Sequence, residues 1–208
     1  MSDKPNIDER SRKILADAQK RKLPILISGD GLDVTSQSKV LEISDSHLLI
    51  ANKIPPPLIS DFMGSKNFSL MVNMIRFQSK RVESDGQHII FPLAEDSLIE
   101  ETRQAERFSF AADEQVVCEF TNPYDGETVL NKPVLDMSAT GLSIRSHFRS
   151  SLFEKNMSLG KLRVLIDGKP YTQGEGEVVY RRKMLDISGK LRLQVGIKLN
   201  TPLSLIHI

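Results

Sequence analysis

The sequence of 208 residues contains a single cysteine, Cys118, and no tryptophan. One cysteine cannot form a disulfide within the chain, which fits a protein of a reducing compartment. No apolar stretch approaches the roughly 20 residues that a membrane-spanning helix needs, and no secretory signal pattern opens the chain. These absences predict a cytoplasmic protein.

A strong excess of charge of one sign is missing as well. The chain has 28 Lys and Arg against 27 Asp and Glu, so no overall field attracts nucleic acid. Aromatic residues that could stack on single-stranded bases are also scarce, since there are only three tyrosines and no tryptophan. A nucleic-acid-binding protein built from β-barrels is therefore an alternative that the composition does not favour.

The usual motifs of catalysis and metal binding are absent from the sequence. His47, His88, His147 and His207 are scattered, without an HExxH pattern or partner cysteines, which argues against a metal site. The chain also has no nucleophile elbow, P-loop or dinucleotide-binding fingerprint. We therefore expect a protein that is not an enzyme and that holds no metal or cofactor.

The first half of the chain predicts a helix followed by strands. Residues 6–21 have a helical pattern with Asn6 at an N-cap position, within an N-terminal arm of residues 1–22. Short apolar runs of period two follow over residues 23–95, and one of them, residues 67–77, is interpreted as a single strand. After three consecutive prolines a helical turn interrupts the strands. The region predicts a small antiparallel β-barrel.

The second half repeats the β pattern after a charged segment. Residues 96–107 have few β-branched residues and predict a linker that is helical in part. Six short apolar runs follow over residues 108–208, and the Asp167-Gly168 pair between two of them is typical of a hairpin turn. Six short strands with frequent turns predict a second antiparallel barrel. The expected fold class is therefore mostly β, with two small barrels.

Two motifs in this half carry ligand-binding chemistry. Arg103 and Arg107 supply guanidinium forks that match O6 and N7 of guanine or the oxygens of a phosphate. Asp136 and Ser138 are two residues apart and share one face of a strand, and Gly141 suits a close backbone approach or a positive φ. The carboxylate could accept hydrogen bonds from the Watson–Crick edge of guanine. An Asx-turn that closes a strand is the structural alternative for Asp136.

At these residues the sequence resembles the PilZ family of bacterial cyclic di-GMP receptors. Arg103 and Arg107 match the family's RxxxR pattern, and Asp136, Ser138 and Gly141 match its [DN]xSxxG pattern. The resemblance extends from residue 103 to about residue 200. Through strand rhythm and domain order alone, the first half resembles the N-terminal barrel of two-domain flagellar-brake proteins of this family.

The resemblance implies a role for each motif residue. Arg103 and Arg107 would clasp guanine and phosphate, Asp136 would face a guanine edge, Ser138 would hydrogen-bond nearby, and Gly141 would leave room for the ligand. Binding would change the orientation of the domains and pass the signal to a protein partner, such as a component of the flagellar motor at the basal body. A PilZ-type scaffold that has lost its ligand is the alternative within the family.

The residues around the motifs refine these expectations. Arg145 follows the second motif and could face the ligand. The Arg-Arg-Lys run at residues 181–183 could extend a phosphate site through Arg182, although the pattern favours a solvated strand end. Thr102 stands where some family members have a further arginine that holds a second ligand molecule, which implies one ligand per chain. Leu199 replaces an aromatic residue that is common in the family's last strand, a difference expected to affect packing.

Overall fold

The computed structural model describes residues 9–72, 75–93, 99–101, 107–110 and 114–200. Contacts between residues divide the chain into two units, Met1–Arg103 with Met184–Lys190, and Gln104–Lys183 with Leu191–Ile208. The sequence pattern gave no sign that residues 184–190 belong with the first unit. The domain boundaries proposed above stay predictions.

Both described helices, α1 (Glu9–Lys20) and α2 (Pro56–Met63), lie in the first unit. Helix α1 packs against two strands and buries Leu15 and Ala18. Helix α2 begins with proline, whose fixed φ and missing N–H suit the first turn of a helix. Within the described residues, no helix is long and apolar enough to cross a membrane.

The strands of the first unit form two groups. They are β1 (Ile25–Gly29), β2 (Thr35–Ser38), β3 (Val40–Ile43), β4 (His47–Ala51), β5 (Phe68–Val72), β6 (Ile75–Ser79), β7 (Glu83–Ser84), β8 (His88–Pro92) and β9 (Ile99–Glu101). One group is ordered β2-β1-β5-β6-β9 and the other β3-β4-β8-β7. The last two residues of β15 (Lys169–Leu185) pair in parallel with β2. The β class is confirmed, and closure of this unit into a barrel stays a prediction.

The interpretation of residues 67–77 as one strand is wrong. The chain reverses there, and β5 and β6 form an antiparallel pair in which Val72 lies opposite Ile75. The turn is not visible in the sequence because apolar residues alternate with other residues on both sides of it. Phe68, Leu70 and Val72 are buried before the turn, and Ile75 and Phe77 are buried after it. Residue 74, expected on the same face, lies outside the described residues.

Part of the predicted linker is a strand, so the expectation of helix is wrong for residues 99–101. These residues form β9 and pair with β6, with Ile99 opposite Phe77 and Glu101 opposite Ile75. The edge of β6 offers unpaired backbone groups, and pairing with them outweighs a charged composition. Residues 94–98 and 102–106 lie outside the described residues.

In the second unit, strand pairings form a ring: β14, β11, β12, β13, β16, β15 and back to β14. The strands are β10 (Arg107–Ser109), β11 (Val116–Thr121), β12 (Val129–Ser138), β13 (Gly141–His147), β14 (Ser158–Ile166), β15 and β16 (Leu191–Leu199). All six predicted strands are present, and the ring is consistent with the expected barrel. The hairpin at Asp167-Gly168 is confirmed, with φ of 50° and 76° at its two central residues.

The ring encloses an apolar core. Its buried side chains include Phe120, Phe153, Leu162, Val178 and Leu199. Cys118 is also buried there, and burial raises the pKa of its thiol to about 12. The thiol thus acts as a small apolar group, and charged chemistry in this unit has to lie outside the ring.

Candidate functional site

The register of β10 brings the two sequence motifs together. β10 pairs antiparallel with β12 so that Arg107 lies opposite Ser138, and Ser109 lies opposite Asp136. Met137 on β12 belongs to the core of the ring. Because side chains alternate along a strand, Asp136 and Ser138 face outward, on the side where β10 delivers Arg107.

Arg107 and Asp136 form an ion pair on this outer face. Nη1 of Arg107 lies 2.5 Å from Oδ1 of Asp136, and the two side chains are 21% and 13% exposed. Burial works against the charge of Arg107, but the Asp136 carboxylate and Tyr180 together outweigh burial and raise the pKa of the guanidinium. The pair is therefore shielded from water. Its hydrogen bond is stronger in this environment than it would be at an open surface.

A chain of hydrogen bonds continues from the other oxygen of Asp136. Ser143 on β13 donates from Oγ to Oδ2 of Asp136 at 2.6 Å. Gln194 on β16 donates from Nε2 to Oγ of Ser143 at 3.0 Å. Arg182 on β15 donates from Nε to Oε1 of Gln194 at 2.6 Å. We call these five residues, Arg107, Asp136, Ser143, Gln194 and Arg182, the polar relay.

The remaining residues of the second motif shape the backbone. Ser138 is buried and donates from Oγ to the carbonyl oxygen of Gly141 at 3.1 Å. A Cβ at Gly141 would lie 2.5 Å from the carbonyl oxygen of Ile197 on β16. Gly141 is needed because a neighbouring strand comes close, and it has no positive φ. The Asx-turn alternative for Asp136 is wrong, because its carboxylate bonds Arg107 and Ser143.

A small recess of about 210 Å³ lies beside the ion pair. Its floor includes two glycines, Gly141 and Gly196, and Tyr180 lies so close over Gly196 that a Cβ there would overlap the ring. Arg107 and Lys198 supply positive charge at its lining. A larger groove of about 490 Å³ lies elsewhere on this unit, and none of the motif residues lines it.

The candidate residues from the sequence are placed as follows. Arg107 and Asp136 are in contact, but Arg103 lies outside the described residues. Arg145 is half-buried opposite Gln194, and its side chain makes no hydrogen bond or ion pair with any residue that the structure describes. Arg182 is half-buried in the relay, so the interpretation of this residue as part of a solvated strand end is wrong. Arg181, in contrast, is exposed and donates to the carbonyl oxygen of Ser150.

Sequence reasoning missed Ser143, Gln194, Tyr180 and Gly196. Ser143 and Gln194 are polar residues that alternate with core residues on their strands, a signal that marks the outer face. Nothing in the sequence indicates that the two strands are neighbours. Among the residues described, no group of three or more His, Cys, Asp or Glu is placed to hold a metal ion.

No family model and no curated protein matches the sequence. Among solved structures, the complex of K. pneumonia MrkH with c-di-GMP is similar, with a TM-score of 0.60 at 12% identity over 91% of this chain and 85% of that chain. A second structure, of MrkH described as a novel c-di-GMP-dependent transcription regulatory factor, has a TM-score of 0.56 at 15% identity, over 91% and 81%. These two similarities assign the fold of the chain.

The contact at Gly141 predicts a position-specific effect of a methyl group. Gly141→Ala should lower the free energy of unfolding by about 1–3 kcal/mol, because the backbone of Ile197 cannot move aside as a side chain could. Gly160→Ala on β14 is the matched control, since a Cβ there meets no atom within 4 Å. Urea unfolding of both variants measures the difference. Equal stability of the two would contradict the close approach.

Proposed function

We propose that this chain, which has the fold of PilZ-type cyclic di-GMP receptors, binds cyclic di-GMP on the outer face of its second unit. The observation that supports this most directly is the contact between Arg107 and Asp136 beside a recess floored by glycines. The two residues come from separate motifs, 29 positions apart. In this proposal the protein is a receptor and carries out no chemical reaction.

Arg107 and Asp136 offer complementary groups to guanine. A guanidinium has five N–H donors, and contact with Asp136 leaves donors for O6 and N7 or for phosphate oxygens. Each carboxylate oxygen of Asp136 accepts one hydrogen bond and has a second lone pair, which suits the N1–H and 2-amino groups. Arg103 supplies the second guanidinium of the clasp.

The other candidate residues act around this clasp. Ser138 fixes the turn of the motif through its bond to Gly141, and Gly141, which lines the recess, lets the backbone of β16 come close. Arg145 and Arg182 add positive charge on the same face, where they can attract the two phosphates. These assignments follow the motif resemblance and the geometry of the outer face.

Calorimetric titration with cyclic di-GMP, with GTP and cyclic di-AMP as controls, tests the function. We expect saturable binding of cyclic di-GMP with one ligand per chain, because Thr102 cannot hold a second molecule as an arginine could. Cyclic di-AMP should bind far more weakly, since adenine has an amino group where guanine has O6. No binding would favour the ligand-free scaffold, and an endpoint of two ligands would contradict the stoichiometry alone.

Removal of the clasp should weaken binding, and Arg107→Ala should also lower the free energy of unfolding, because it leaves Asp136 without its cationic partner. Arg103→Ala and Arg107→Ala should each raise Kd roughly tenfold to a hundredfold, because charge-assisted hydrogen bonds contribute about 1.5–3 kcal/mol each. Asp136→Ala should also raise Kd and reduce the preference for guanine. Titration of each variant gives Kd, and urea unfolding checks that it folds.

Arg163→Ala is the matched control for these variants. Arg163 is an arginine of the same unit that is 51% exposed and paired with Glu119, away from the relay. Its removal makes the same change in net charge but should leave Kd unchanged. If Arg107→Ala binds the ligand as tightly as Arg163→Ala does, the assignment of the clasp is wrong.

Binding is proposed to act on the two units. Arg103 is the last residue of the first segment of the first unit, and Arg107 lies in the second unit. A ligand held by both arginines restrains the orientation of the units, by as much as its preference for one arrangement allows. The signal then passes to a protein partner, such as a component of the flagellar motor, as the motif resemblance implies.

Control of transcription is a second candidate output. It is favoured by the fold shared with MrkH, which is described as a transcription regulatory factor. A gel shift with duplex DNA, with and without cyclic di-GMP, separates the two outputs. A ligand-dependent shift supports transcription, and no shift supports a protein partner.

The change of orientation has two measurable consequences. Hydrogen exchange across residues 96–108 should slow when cyclic di-GMP is added, because contacts of the ligand with Arg103 and Arg107 would protect the backbone around them. Small-angle scattering should show a changed distance between the units. Slower exchange with an unchanged scattering profile would leave the binding site intact and contradict the reorientation.

A further inference from the structure

The hydrogen bonds from Arg182 to Asp136 all run in one donor-to-acceptor direction, and Arg182 determines that direction. The Nε of arginine is a donor only, so the Gln194 atom that faces it has to be the carbonyl oxygen Oε1. The amide nitrogen then faces Ser143 and donates to its Oγ. The hydroxyl accepts that bond, so its own hydrogen is directed to Asp136. Every donor in the relay points toward the carboxylate.

The burial of Gln194 calls for an explanation. Its residue is 2% exposed, although it lies on the outer face between core residues Leu193 and Val195. An amide removed from water needs all its hydrogen bonds, and an apolar residue could fill the position without that requirement. Packing alone therefore does not account for a glutamine here.

Arg182 has donor capacity that the protein does not use. Its guanidinium lies 5.5 Å from the centre of the Tyr180 ring. Its Nη2 is buried and has no hydrogen-bond partner among the residues described. A buried donor without an acceptor is rare in proteins, and the oxygens of an anion bound against this guanidinium would satisfy it once the side chain turns toward them.

We infer that Gln194 and Ser143 are positioning residues of the ligand site, which hold Arg182 toward a ligand oxygen and Asp136 in the orientation that receives a guanine edge. The inference rests on the proposed function. Neither residue needs to touch the ligand. Gln194 acts on both ends of the relay, and Ser143 acts only on Asp136.

Three variants separate these roles. Gln194→Met keeps a similar side-chain volume but removes the hydrogen bonds of Gln194 with Arg182 and with Ser143. Gln194→Glu keeps the acceptor for Arg182 but removes the donor to Ser143. Ser143→Ala removes the hydrogen bond to Asp136. Each should raise Kd for cyclic di-GMP about threefold to tenfold, roughly the net contribution of one hydrogen bond, because each variant loosens Arg182 or Asp136 without removing either residue. Gln173→Glu, at an exposed position of β15, controls for added charge and should leave Kd unchanged.

A double variant tests whether the two residues act through one relay. Gln194→Met combined with Ser143→Ala should raise Kd by less than the product of the two single effects, because Gln194 acts on Asp136 through Ser143. If the Kd of the double variant rises by the full product of the two single effects, the inference is overturned. Variants that bind like the unmodified chain would overturn it as well.

A measurement without ligand distinguishes positioning from a general loss of stability. In side-chain ¹⁵N NMR, the Nε–H signal of Arg182 should be protected from solvent exchange in the unmodified chain and in Gln194→Glu. Protection should be lost in Gln194→Met, and its persistence there would overturn the inference. If the relay signals are intact but the unmodified chain binds no cyclic di-GMP, the proposed function fails, and the ligand role of the relay fails with it.

Discussion

The register of β10 against β12 is the constraint on which the outer face of the second unit depends. In the observed register Arg107 lies opposite Ser138 and reaches Asp136. A shift of one residue would turn Arg107 to the other face of the strand. Asp136 would then keep its charge at 13% exposure without a cationic partner, which is strongly unfavourable. The ion pair and the strand register therefore enforce each other.

The same face combines polar side chains with unusually close backbone packing. An apolar core behind the sheet leaves the outer surface as the place for charged groups, and the relay crosses from β12 to β15 by way of β13 and β16. Gly141 admits the backbone of Ile197, and Gly196 admits the ring of Tyr180. The polar groups are thus carried by closely packed strands, which is the kind of support that a binding site of precise geometry needs.

What the sequence predicts depends on whether a feature is local. The spacing of Asp136 and Ser138 and the turn at Asp167-Gly168 are local and were interpreted correctly, and the resemblance to PilZ-type receptors is confirmed for the fold. The reversal after Val72 was missed because apolar alternation continues across it. Ser143 and Gln194 were missed because their contact depends on the neighbourhood of β13 and β16, a pairing distant in sequence.

The division of the chain bears on how a ligand signal could leave the site. The chain passes between the units three times, after residues 103, 183 and 190. Arg103 is the last residue before the first passage, and Arg182 is the last residue but one before the second passage. Directly after the second passage, Met184 and Leu185 pair with β2 of the first unit. The two units are therefore linked by three chain passages rather than by one linker, and β15 runs through the second of these passages.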